Sequence, residues 1–149
     1  MAVVQTDFSE DIAKGFPGMI ANGETSNRIS RTCADAGGIP FGVPVYEGSD
    51  PHTCTRTPAA GKLLGITIAH QCLGLLAGQT ADEYAQYDNV AIMTLGAIFV
   101  TAGEAVTARA PAYDTGSAIV DTVSTNTALT GWQFDEAAAN ADIVKLVRR

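Results

Sequence analysis

From Gly37 to the C-terminus, short apolar segments recur at close spacing, with Gly, Pro and Asn standing between them. That punctuation is the strongest constraint on the fold. Segments of about four to eight residues suit strands and are too short for helices that bury a face. In 37–46, Phe41, Val43 and Val45 alternate onto one side, and Pro40 and Pro44, which cannot donate to a ladder, suit an edge or entry strand. Alternation in 62–69 places Leu64, Ile66 and Ile68 on one face and Leu63, Gly65 and Thr67 on the other. Residues 90–94 and 97–101 flank Leu95-Gly96 as the two arms of a hairpin. Further short strands are predicted at 105–107, 111–113, 118–123, 129–134 and 143–147, the last two joined across an Ala-rich loop or helical turn. The chain is therefore mainly β, a small β-barrel or sandwich, with no alternating βα units.

Two short helices are expected beside the strands. Asp7 with Glu10 forms a capping-box pair, Phe8 and Ile12 share a face, and Gly15 is a left-handed stop. Thr80 with Glu83 frames a second helix over 81–87, ended by Asp88-Asn89. Residues 16–31 contain Pro17, Gly18 and Gly23 with no clear period, and read as an extended arm or irregular loop. One domain over 1–149 results, with an N-terminal arm at 1–36 and a β-rich body at 37–149.

Charge narrows the function classes. Nine Lys and Arg stand scattered against sixteen carboxylates, for a net charge of −7, which argues against phosphate-mediated nucleic-acid binding. The most apolar run, 63–78, is broken by Thr67, His70 and Gln71 and falls short of the ~20 residues a membrane span requires. The N-terminus lacks the basic start and apolar stretch of a secretory signal. Only 17% of residues are charged, while 24 Ala, 15 Gly and 16 Thr dominate, so either the chain is unusually compact or part of its surface is covered by other protein. Three cysteines are too few for a disulfide framework and suit synthesis in a reducing cytosol.

No Gly-x-Ser-x-Gly, His-Glu-x-x-His or complete phosphate-loop motif occurs, so no catalytic residues are assigned. Chemistry has one possible seat, a doubled His-x-Cys: His52-Thr53-Cys54 and His70-Gln71-Cys72. Two such pairs on strands would supply four tetrahedral zinc ligands. His-x-Cys is not a usual zinc spacing, and the plainer reading makes Cys72 a small buried apolar residue, Cys54 a loop residue and both histidines ordinary. A Cys54–Cys72 disulfide and a Cys–His nucleophile lacking an orienting group are further alternatives. No metal and no cofactor are expected.

Several stretches resemble the structural cement proteins of tailed-phage heads. They are Gln5-Thr6-Asp7-Phe8-Ser9 through Phe16-Pro17-Gly18-Met19-Ile20, Asn27-Arg28-Ile29-Ser30-Arg31, and Gly38-Ile39-Pro40-Phe41-Gly42-Val43. Ala60-Gly61-Lys62-Leu63-Leu64-Gly65-Ile66-Thr67, Tyr87-Asp88-Asn89-Val90-Ala91, Gly131-Trp132 and Val144-Lys145-Leu146-Val147 extend the likeness, carried by order and spacing together. The resemblance implies a non-enzymatic virion protein on the outer surface of the head, made in the host cytoplasm. Its implied partners are the major capsid protein and copies of itself, a trimer favoured over a dimer, with neither nucleic acid nor membrane. Phe8, Phe16, Pro17, Met19 and Ile20, large apolar residues without a local pattern to bury them, are the expected capsid or subunit contacts, with an ordinary arm packed on its own domain as the alternative. A small β-rich phage adhesion module is the alternative.

Overall fold

The computed structural model describes residues 14–70 and 80–149. Eleven strands run in order: β1 Asn27–Cys33, β2 Ile39–Pro40, β3 Pro44–Glu47, β4 Thr53–Thr55, β5 Leu63–Thr67, β6 Glu83–Tyr84, β7 Asn89–Thr101, β8 Pro111–Asp114, β9 Ile119–Val120, β10 Thr127–Phe134 and β11 Ile143–Arg148. No helix occurs among the described residues.

Five strands close on themselves. β1 pairs in parallel with β4, β4 with β3, β3 with β5, β5 with β7, and β7 returns to β1. The small barrel so formed has no open edge, the hazard that closure removes. β7 runs on past it and pairs with β11, which leads through β10 and β8 to β9. A parallel bridge Ala102↔Ile119 draws β9 back to the end of β7, so the second sheet curls as well. Cys33, Ile39, Phe41, Val45, Cys54, Tyr84, Val90 and Ile92 fill the barrel. The second cluster joins Tyr46, Ile66 and Met93 from the barrel to Ile98, Leu129, Trp132, Phe134 and Leu146 from the second sheet.

Two β-bulges explain where the sequence reading fails. Residues 90–101 are not a hairpin but one strand of 13 residues. Asn27 pairs with Leu95 and Arg28 with Met93, which leaves Thr94 as an extra residue. Gly96, at φ +127°, follows it. The bulge bends β7 and inverts its alternation, so Val90 and Ile92 enter the barrel while Ile98 and Val100 enter the second core. In β5 the partners Val45↔Gly65 and Tyr46↔Leu63 skip Leu64. Leu63 therefore packs with Ile66 and Ile68, and Leu64 packs on the barrel cluster, which corrects the expected faces.

The predicted helix over 81–87 is also corrected. Asp82 and Tyr87 hold positive φ, and Glu83–Tyr84 pairs with β2. Tyr84 is fully buried, donates to the Ile68 carbonyl at 2.5 Å, and meets Phe41 edge-on at 5.2 Å between ring centroids. Burying an aromatic is worth about 1.5–3 kcal/mol, more than a capping pair supplies. The helix expected over 7–15 falls almost wholly outside the described residues. Within the irregular stretch 16–31, β1 begins at Asn27, because backbone pairing to β4 and β7 fixes a segment whose side chains hardly alternate. The 37–46 strand is split by a turn at Phe41-Gly42, and 105–107 is reduced to the single bridge Val106↔Ala138.

Candidate interaction surface

Residues 16–21 are bound to their own domain through the main chain. Gly18 donates to the Phe99 carbonyl at 2.8 Å, Phe99 to Met19 at 2.9 Å, and Ala21 to Ala97 at 3.0 Å. Gly18 also accepts from Ala69 at 2.8 Å. The contact needs glycine. A Cβ on Gly18 would stand 2.8 Å from the Ala69 nitrogen, and one on Gly42 would stand 2.6 Å from the Gly18 nitrogen. The predicted contact set is thereby divided. Ile20 bridges to Ile98 and packs on the second core, and Pro17 is half-buried against Gly42. Phe16 and Met19 stay 44% and 38% exposed. Phe8 lies outside the described residues.

Phe16 and Pro17 form one wall of a cavity of about 480 Å³ between the two sheets. Phe41 and Val43 line its barrel side, and Ala102 and Ile119 line the other. Beside it, Arg56 makes a two-pronged contact with Asp114 at 2.6 and 3.0 Å. The Tyr46 hydroxyl donates to the same carboxylate at 2.8 Å, and the Gly116 N–H donates at 2.9 Å. The Asp114 side chain is fully buried. Its oxygens are committed to these donors, so the group ties β8 to the barrel and offers no open position to a substrate. Burial, then the Asp114 hydrogen bond, push the Tyr46 phenol well above its ordinary value. Asp35 fastens the Arg56 loop by accepting from Thr55 Oγ1 and from the Arg56 N–H, both at 2.6 Å.

Of the two His-x-Cys pairs, the structure describes His52, Cys54 and His70. His52 is exposed in the turn before β4, its N–H held by Asp50 Oδ1 at 2.8 Å, whereas Cys54 is fully buried in the barrel. His70 is exposed, and Cys72 lies outside the described residues. Among the described residues no group of three His, Cys, Asp or Glu side chains is placed to hold a metal. Cys54 stands instead beside Cys33 in register, both buried as free thiols. Burial, reinforced by Cys33 and Asp35, pushes the Cys54 thiol up to about 12, so it is not a thiolate at neutral pH. Two exposed apolar side chains escaped the sequence reading. Tyr87, 77% exposed, was hidden inside the predicted helix, and Val123, 60% exposed, lies past the end of β9.

The sequence profile of a family described as structural cement protein (E217 gp24/Pam3 gp6) matches residues 4–149. A chain of the capsid of Myoviridae phage XM1 is similar in fold, with a TM-score of 0.73 at 14% identity, over 99% of this chain and 97% of that one. The N base of the head fibre gp8.5 of bacteriophage phi29 overlaps 84% of this chain and 95% of its own, at 14% identity and a TM-score of 0.46. No curated protein sequence matches the chain.

Proposed function

Because the chain belongs to the structural cement protein family, it is a structural component of a phage virion associated with the capsid shell, and we propose that it clamps neighbouring major capsid subunits together on the outside of an icosahedral head. The observation that carries this reading is the family match over 4–149, nearly the whole chain. A clamp needs area, not a reaction. A standard interface buries about 1,600 Å² in total. Holding two neighbouring subunits at once puts each contact at high effective concentration for the other, so modest affinities combine into firm attachment.

The contact segment in this reading is the N-terminal one. Phe16 and Met19 offer exposed side chains, Pro17 and Ile20 brace the segment on its own domain, and Phe8 precedes them. Sparse charge and the exposed apolar residues support a homo-oligomer on the shell, and the family resemblance favours a trimer over a dimer. In this reading the chain is made in the host cytoplasm. Images of heads lacking the protein, before and after the purified chain is added, test the proposal. Added density spanning two adjacent capsid subunits on the outer surface is expected. Density confined to isolated single copies, or none, would overturn it, and Phe16→Ser with Met19→Ser should abolish the density while leaving the chain folded.

A further inference from the structure

Tyr87 occupies a backbone position that its side chain disfavours. Asp88 donates to the Ala85 carbonyl at 3.1 Å across a tight turn with Gln86 and Tyr87 at its centre. The Tyr87 φ of +71° at the third position of that turn is the type II signature, where glycine or asparagine is the usual residue. A bulky aromatic there is a true outlier. The surroundings dictate the conformation. Tyr87 donates to the Cys33 carbonyl and Cys33 to the Asp88 carbonyl, each at 2.9 Å, and Asp88 Oδ2 accepts from the Ala85 N–H at 2.8 Å. Among the described residues no hydrogen bond or ring contact rewards the ring, which is 77% exposed. Glycine would hold the same turn with less strain and no apolar exposure.

We infer that Tyr87 is an anchor of the shell contact, its ring entering an apolar recess on a basic-edged surface of the capsid protein. The inference rests on the cement reading and names a residue for it. Tyrosine suits the task, since it buries a large rigid face at little entropic cost and keeps a hydroxyl for the rim. The basic edge follows from charge. Asp88 follows Tyr87 in the chain, and Asp35, Asp88 and Glu83 all lie close enough to act on Cys33, whose carbonyl accepts from the Tyr87 N–H; the cation Arg31 acts, with Asp35, on Cys54. Such rim charges orient the partner, while the buried ring holds it.

The test compares the full-length chain with Tyr87→Gly, Tyr87→Asn and Tyr87→Phe, in thermal unfolding and in co-sedimentation with heads lacking the protein. Tyr87→Gly should raise the Tm of the free chain by about 2–4 °C and weaken attachment at least about tenfold. Tyr87→Asn, which also tolerates positive φ, should weaken attachment alike, and Tyr87→Phe should bind within about threefold of the parent. Attachment of Tyr87→Gly or Tyr87→Asn equal to the parent would overturn the inference and leave the cement reading standing. A lowered Tm for Tyr87→Gly would remove its strain argument. Failure of the parent itself to sediment with heads would overturn the cement reading, and this inference with it.

Discussion

Asp114 collects donors from Tyr46 and Arg56, both far away in the chain, and from its near neighbour Gly116, and is fully buried while doing so. Removing the carboxylate strands a guanidinium and a phenol in the interior. Asp114→Ala should therefore cost about 3–5 kcal/mol in urea unfolding, whereas the apolar pair Arg56→Met with Asp114→Leu should cost far less. A loss under about 1 kcal/mol for Asp114→Ala would show that the group does not tie the sheets. The buried thiols give a pH prediction. Cys54 titrates near 12 in the folded chain against 9.0 ordinarily, so between those values the unfolded chain releases a proton that the folded chain keeps. Stability from this group is complete below pH 9 and declines as pH rises towards 12, in the same direction as the raised Tyr46 and Tyr84 phenols. Alkylation at pH 8 followed by peptide mapping should leave Cys33 and Cys54 unlabelled until the chain unfolds; prompt labelling of Cys54 would contradict its burial.

At the scale of elements, β7 organises the molecule, because its first half closes the barrel and its second half carries β11. Gly96 sits where it bends, and a Cβ there would come 2.8 Å from Ser26 Cβ and 3.2 Å from Met93 Sδ. Gly96→Val should destabilise the fold by about 2–4 kcal/mol in denaturant titration, and an unchanged midpoint would show the bend to be tolerant. Strands at 111–113, 129–134 and 143–147 were legible because turn residues bound them and their side chains alternate. The bulges were not. Thr94 and Leu64 sit in stretches apolar on both faces, where inverting the alternation leaves no mark on the pattern. Barrel closure depends on the parallel pairing of Cys33 with Cys54, a long-range register that no local signal announces. The proposed contact was legible only in part. Phe16 and Met19 stood out as apolar residues in an aperiodic segment, whereas Tyr87 was masked by a capping-box pair that tertiary burial of Tyr84 overrides.

For the molecule as a whole, two curled sheets are tied through a buried carboxylate and carry apolar side chains on the surface. Stiffness matters to a clamp, since a body that yields transmits little restraint between the subunits it joins. Apolar burial at about 25 cal/mol per Å² sets the gross scale of each contact, much of it offset by association and ordering costs. A small net gain per copy still counts where rupture of the shell requires several adjacent contacts to open together. Contacts of this kind should persist in moderate salt, where purely charge-driven attachment is screened. The most direct measurement is DNA release on heating, for heads with and without the protein, at low and moderate salt. Cementing predicts release at a clearly higher temperature when the protein is present, at both salt concentrations; equal release temperatures would contradict it.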